Sequence, residues 1–388
     1  MKISSRATAL LLVVTAFLFL PSLPIHASGA KGSYLIFVGT YTDHESKGIY
    51  AFRYDSATGR PVPIGLVAET ANPSFLVADA SGRFLYAVNE VSDYQGQKSG
   101  GVSAFSIDRK TAKLTFLNEV STHGAGPCHL TLDRTGKFLL VANYDAGNLA
   151  VFPVLPDGRL GEASSVIQHT GHGPNKERQE GPHAHEIQLS RDNRFALAAD
   201  LGLDKILVYK FDSTKGTLSP NNRPAAEVEP GAGPRHFAFH PGGKRVYVIN
   251  EMQSTVTGFS WDAGTGGLRR LSTVSTVPKE FKGANDTAEI EASGNGKVLY
   301  GSNRGQDSIA IFSVRDDGTL ILLKTVPTQG KTPRHFAIDP TGRYLFAANQ
   351  ESNNIVGFRI NPKNGDLTPT STVLEAPTPV CVIFVAAD

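Results

Sequence analysis

The sequence predicts an all-β fold, a seven-bladed β-propeller with four antiparallel strands per blade. A split blade closes the ring, with three strands from the N-terminal side and its innermost strand from the C-terminus. Three observations predict this fold. One phrase recurs along the chain, short β-rich runs alternate with turn residues inside each repeat, and the two ends complement each other.

The recurring phrase is clearest from Gly233: Gly233-Pro234-Arg235-His236-Phe237-Ala238-Phe239-His240-Pro241-Gly242-Gly243-Lys244, running on to Asn250. It returns as Gly126-Pro127-Cys128-His129 leading to Asn143, as Thr332-Pro333-Arg334-His335 leading to Asn349, and as Asn72-Pro73-Ser74-Phe75 leading to Asn89. Two looser copies are Pro182-His183-Ala184-His185-Glu186, leading to Asp200, and Thr287-Ala288-Glu289, leading to Asn303. Within one unit the β-rich runs His236–Phe239, Arg245–Ile249, Val256–Trp261 and Leu268–Val274 are separated by Gly- and Pro-rich turns, which reads as four antiparallel strands. No long amphipathic helical pattern interrupts them. At the ends, Tyr34–Thr42 resembles a second strand and residues 378–384 a first strand. Residues 34–70 and the C-terminus therefore make one blade to add to six whole ones, and closure hides the sheet edges.

Composition excludes other classes. The chain has 388 residues with 39 Gly, 23 Pro and 2 Cys, 40% apolar and 19% charged, which is neither disordered, collagenous nor a disulfide scaffold. A net charge of +2 without long single-sign runs gives no electrostatic footprint for nucleic acid. Lys2 and Arg6 precede an apolar stretch from Ala7 to Leu20, then small residues ending Ala27-Ser28-Gly29-Ala30, so residues 1–30 read as a signal peptide cleaved after Ala27 or Ala30. The apolar stretch is too short to span a bilayer. Residues 31–388 are then one propeller domain, exported to the periplasm or the extracellular space. Cys128 and Cys381 fall on innermost strands of blades separated by another blade, so no disulfide is expected.

The up-and-down blade puts the segment entering the first strand and the turn between strands two and three on one face of the disc. That mouth collects His183, His185, Arg235, His236, Asn250, Glu251, Glu289, Asn303, Arg304, Arg334, His335 and Asn349. Repetition supplies purely structural reasons for many of these. His129, His236 and His335 share one position, where hydrogen bonding to the neighbouring blade suffices; Asn89, Asn143, Asn250, Asn303 and Asn349 share another, where Asn suits a strand end that bonds its own backbone. Arg235 and Arg334 differ, because the same position holds Ser74, Cys128 and Ala288 elsewhere and the fold does not require Arg there. A guanidinium suits a carboxylate, a phosphate or a developing oxyanion. Glu251 and Glu289 read either as acid/base or positioning groups or as partners of the arginines, and Glu90 repeats the Asn-Glu pair of Glu251 in another blade. His183 and His185 lie on one side of an extended segment, open to acid/base work, to substrate contact, to a structural role or, more weakly, to a divalent metal; no other cofactor is implied. The stretch His169–Glu180 reads as a mobile polar rim loop. No nucleophile elbow, Walker loop, dinucleotide motif or Cys-x-x-Cys is present.

The Gly-Pro-Arg-His unit ending Asn250-Glu251, the Pro182-His183-Ala184-His185 segment and Ser302-Asn303-Arg304-Gly305 together resemble the seven-bladed propeller lactonase family, over essentially residues 33–386. Its bacterial members include 6-phosphogluconolactonase, and a fungal carboxymuconate-lactonizing enzyme is related. The resemblance implies a carboxylic-ester hydrolase acting on a sugar lactone, with His185, Arg235 and Glu251 as catalytic group and His183, Glu289, Arg304 and Arg334 binding the substrate. The expected partner is a small-molecule lactone, with no nucleic acid, no membrane span after leader removal, and the protein a monomer. Two departures stand out: Glu291 occupies a position where the family commonly has His, and the leader sends the chain away from the cytoplasmic phosphorylated lactone. A non-catalytic exported propeller binding protein or glycan, and a lactonizing cycloisomerase, are the competing readings.

Overall fold

The computed structural model describes residues 32–388, so the leader expected over residues 1–30 lies outside the described residues. Seven four-stranded antiparallel sheets form the blades. Blades 1 to 6 span residues 76–121, 127–168, 184–227, 234–275, 286–327 and 333–375; the closing blade pairs the C-terminal strand Pro379–Ala386 with Ser33–Thr40, Gly48–Asp55 and Arg60–Glu69. Among the described residues helix is confined to two single 3₁₀ turns, Leu201–Leu203 and Gln350–Ser352.

The two middle strands of each blade are apolar on both faces because each sheet is covered by a sheet on either side, as in Phe138–Asn143 and Phe195–Asp200, which are buried throughout. The outermost strands alternate and face water, as in Arg60–Glu69. Seven apolar layers result, one between each pair of neighbouring blades, including the pair that meets at the closure. Side chains such as Phe152, Phe312 and Phe358 are wholly enclosed there, each contributing roughly 1.5–3 kcal/mol by leaving water.

A tyrosine stitch crosses three of these layers. Tyr86, Tyr247 and Tyr300 sit at one position of the second strand, fully buried, and donate their hydroxyls to Gly158, Gly318 and Gly365 carbonyls of the next blade at 3.0, 3.1 and 2.8 Å. Those glycines adopt φ of 86°, 91° and 76°, a left-handed conformation only glycine takes without strain.

On the face opposite the mouth, Asp133 ends the first strand of blade 2. Its carboxylate accepts from the backbone of Lys137 and Phe138 at 2.8 and 2.9 Å, from Thr135 Oγ1 at 2.7 Å and from Asn193 of blade 3 at 2.9 Å. Burial alone would raise its carboxyl, but these donors outweigh it and hold it below the ordinary value. Asp133→Ala strands several donors at once and is expected to lower stability by about 1–3 kcal/mol, read as a drop in thermal midpoint. The loss relative to wild type should be complete above the unfolded carboxyl value and shrink as pH falls through the lower folded value.

Cys128 and Cys381 are both free and buried, on the innermost strands of different blades. The repeated asparagines correct one expectation. Two of them reach both the segment leaving the preceding blade and the far side of their own hairpin: Asn143 Nδ2 donates to Thr122 O and Asn148 Oδ1, and Asn349 Nδ2 to Thr328 O and Asn354 Oδ1, while Asn250 Nδ2 donates to Thr255 and Thr257 of its own blade. A strand end facing a neighbouring blade finds acceptors there before it finds them on its own backbone.

Candidate active site

The innermost strands begin with a β-bulge. Register shifts fall between Pro127 and His129, Ala184 and Glu186, Pro234 and His236, Thr287 and Ile290, and Pro333 and His335. The extra residues are Cys128, His185, Arg235, Ala288 and Arg334. A bulged residue drops out of the ladder and its side chain is re-aimed, which is how the recurring position after proline is turned into the mouth. Ser74, Cys128, His185, Arg235, Arg334 and Val380 line one narrow well there, joined by Glu90 and by Phe75, His236 and His335 of the next position along the strands.

That next position forms the floor. Phe75 contacts His129, His236 and His335 with ring centroids 4.3, 5.8 and 5.6 Å apart, bridging blades 1, 2, 4 and 6 across the axis. The same residues link blades: His129 Nδ1 accepts from Ile187 N at 3.5 Å, His335 Nδ1 from Val382 N at 3.4 Å, and Glu186 accepts from Phe237 N. His236 Nδ1 lies 2.9 Å from Glu289 Oε2, and His335 Nε2 lies 3.4 Å from the same oxygen. Glu289 thus stands in the buried imidazole layer and does not line the well. Burial pushes the carboxyls of Glu186, Glu289 and Glu291 up, Glu291 to about 8. Glu291, where the resemblance led one to expect His, accepts from Ile338 N of blade 6 at 3.3 Å, another link between blades.

Glu251 is the electrostatic centre of one wall. Its carboxylate meets Arg235 Nε at 3.0 Å, Arg304 Nη2 at 2.8 Å and Arg178 Nη2 at 2.6 Å. Burial alone would raise its pKa; the charges of Arg304, Arg235 and Arg178 outweigh that and hold it at about 2. Arg235 also donates to Ala288 O at 2.9 Å, and Arg304 to Thr287 O at 2.8 Å. Burial and the neighbouring Arg304 and Arg334 lower the Arg235 pKa to about 10, leaving it charged at neutral pH.

His185 stands beside Arg235, with Nδ1 3.7 Å from Cys128 Sγ and its ring 5.2 Å from that of His236. Burial, with the charge of Arg235 beside it, pushes the imidazole well below its ordinary value, so it is neutral. His183 lies nearer the rim: its ring stacks on Tyr144 at 4.5 Å and its Nε2 faces Glu180 Oε1 at 3.3 Å. The His185 ring also meets Tyr144, edge-on at 5.3 Å, and among the described residues no group of three or more His, Cys, Asp or Glu side chains is placed to hold a metal ion.

The structure therefore brings His185, Arg235 and Arg334 into the well, with Glu251 and Arg304 directly behind Arg235, and sets His183 at the rim and Glu289 in the floor. Sequence reasoning missed Tyr41, Ser74, Glu90 and Arg178 as members of the site. Ser74 and Glu90 occupy repeat positions already singled out in other blades, which is a usable signal. Tyr41 enters only through ring closure, and Arg178 comes from a rim segment without a repeat counterpart. That segment is stitched down, contrary to the mobile loop expected. Gln179 is wholly buried and donates to Leu201 O and Asp204 Oδ1 at 2.8 Å, while His169 pairs with Asp200 at 2.6 Å.

Comparison with known proteins agrees with this architecture. Residues 35–384 match the family described as lactonase, 7-bladed beta-propeller. The 6-phosphogluconolactonase of Bacillus subtilis (strain 168) is 38% identical over 352 residues, which cover 90% of this chain and 98% of that protein. Among solved structures, a putative 6-phosphogluconolactonase from Bacteroides fragilis aligns with a TM-score of 0.85 at 39% identity, over 92% of this chain and 99% of the other. The periplasmic gluconolactonase of Pseudomonas aeruginosa aligns with a TM-score of 0.85 at 32% identity, over 92% and 100%. By sequence along nearly its whole propeller and by the course of its backbone, the chain belongs to the seven-bladed β-propeller lactonase family.

Proposed function

We propose that this protein hydrolyses a sugar lactone in the well at the mouth of the propeller. The observation that carries this reading is the pairing of two guanidiniums, the buried Arg235 and the partly buried Arg334, with a neutral imidazole, His185, around one small space. It is supported by membership of the lactonase family and by relatives named 6-phosphogluconolactonase and gluconolactonase.

Water attack on the lactone carbonyl places negative charge on the carbonyl oxygen, and fixed cationic donors in a site poor in water stabilise that charge with no reorganisation. Arg235, aligned by Glu251 and the Ala288 carbonyl, supplies such a donor. Arg334, two blades round the same well, can take the second charge-assisted contact, to a ring hydroxyl or an anionic substituent. His185, being neutral, can hydrogen-bond the attacking water. Glu251 serves these groups as a fixed anion that aligns Arg235, Arg304 and Arg178; a carboxylate held at about 2 has little tendency to accept a proton at neutral pH.

Export is part of the reading: the leader-like residues 1–30 and the periplasmic relative support a protein that meets its lactone outside the cytoplasm. Among the described residues no helix is long and apolar enough to cross a membrane. Assaying glucono-1,5-lactone and its 6-phosphate side by side, with spontaneous opening subtracted, ranks the two substrates. Arg178, whose side chain is 40% exposed, contributes one of the three contacts to Glu251. Arg178→Ala is expected to lower kcat/KM by about tenfold or less, since a half-exposed charged contact is worth no more than ~1.4 kcal/mol. Initial-rate kinetics checks this.

A further inference from the structure

The well holds a second carboxylate whose surroundings are the reverse of those of Glu251. Glu90 follows Asn89 as Glu251 follows Asn250, yet it meets hydroxyl groups where Glu251 meets guanidiniums. Tyr41 Oη lies 3.0 Å from both of its oxygens, and the Ser74 hydroxyl donates to Oε2. Arg334 Nη2 donates to Tyr41 Oη at 2.7 Å, and its guanidinium carbon lies 5.2 Å from the centre of the Tyr41 ring. The Arg334 charge thus reaches Glu90 through a phenol. Burial pushes the Tyr41 phenol up, so it remains a donor. The other charged or titratable groups around Glu90 are Asp145 and the Cys128 thiol of blade 2 and, lining the same well, His185, Arg235, His236 and His335.

We propose that Glu90 is the proton-transfer carboxylate of this site. The inference rests on the lactonase reading. As water attacks the lactone carbonyl carbon, the new C–O bond forms, the carbonyl electron pair moves to oxygen, and the water proton passes to Glu90. As the tetrahedral intermediate collapses, the bond from that carbon to the ring oxygen breaks and Glu90 returns the proton to the departing oxygen. The product is the hydroxy acid, which loses its acidic proton to solvent, and Glu90 ends ionised as it began.

The division of labour follows from donor chemistry. Guanidiniums fix Glu251 as an anion. Hydroxyls can turn to follow a carboxylate as it gains and loses a proton, and burial raises Glu90 towards the working range while the donors and Arg334 restrain the rise. Two carboxylates whose environments push their proton affinities apart divide into a holder and a carrier.

The test is the pH dependence of lactone hydrolysis by the full-length mature protein, with thermal unfolding showing that each variant is folded. Wild type should lose kcat/KM on the acid side as Glu90 protonates. Glu90→Gln should lose at least ~10²-fold, the scale of a lost general base, and should lack that acid limb. Tyr41→Phe and Ser74→Ala each remove a donor to the ionised form and should move the limb to higher pH. An acid limb that persists in Glu90→Gln, or that stays in place in Tyr41→Phe, overturns the proposal. If wild type opens no lactone, it is the functional reading that fails. The proton site is then read by infrared difference titration of wild type against Glu90→Gln. A titrating carboxyl lost in Glu90→Gln and displaced upward in Tyr41→Phe sustains the proton-carrying role, and its absence ends it.

Discussion

Arg235→Ala should leave a folded propeller that hydrolyses its lactone at least ~10²-fold more slowly in kcat/KM, the cost of removing one donor aimed at a developing oxyanion. Folding should survive because the bulge position does not require arginine: Cys128 and Val380 fill it in other blades. Activity should not, because Arg235 combines a position in the well with bonds to Glu251 and the Ala288 carbonyl that fix its direction. Arg235→Lys should recover little of the loss. One ammonium on a flexible stem cannot hold two acceptors and still present a donor to the well in a fixed orientation. Steady-state kinetics with circular dichroism of both variants checks this.

Glu251→Ala should cost at least ~10²-fold as well, by a different route. Its carboxylate holds Arg235, Arg304 and Arg178 together. Without it, three guanidiniums repel one another and Arg235 loses its alignment, so kcat should fall and the thermal midpoint should drop. The pH dependence separates this from a base role. Because the folded carboxyl sits at about 2, the stability that Glu251 provides is complete above its unfolded value of about 4.3. It is lost only as pH falls towards 2, below the acid limb of the rate. Glu251→Gln should therefore keep the acid limb of the wild-type profile while losing rate, and should lose most of its midpoint difference from wild type at low pH.

The repeat was legible because it is a one-dimensional signal: proline entering most first strands, asparagine leaving most second strands, and turn residues between. Even the split blade could be read, since residues 378–384 and Tyr34–Thr42 are complementary parts of the same repeat. The Tyr86, Tyr247 and Tyr300 stitches stayed hidden, because a buried tyrosine on an apolar strand looks like any other core aromatic until its partner carbonyl in the next blade is seen. In the site, Arg235 and Arg334 stood out by contrast with what the same position holds elsewhere. Repetition worked against Glu90 and Glu289. The two Asn-Glu pairs look alike in sequence; the contrast of Ser74 with Arg235 at one repeat position was readable, but Tyr41, brought beside blade 1 by ring closure, and Arg178, reaching across to blade 4, complete the opposite environments of the two carboxylates. Glu289 read as a mouth residue, but it holds the position that His129, His236 and His335 hold in other blades, one past the bulge, and its carboxylate joins the imidazoles of the floor.

The most direct test of the account is one pH-stat experiment on glucono-1,5-lactone and its 6-phosphate, with wild type and Arg235→Ala run together and spontaneous opening subtracted. The account predicts acceleration by wild type on at least one of the two, reduced at least ~10²-fold in the variant at unchanged fold. Equal rates in the two proteins would contradict the placement of the reaction in this well, and no acceleration by wild type on either substrate would contradict sugar-lactone hydrolysis itself.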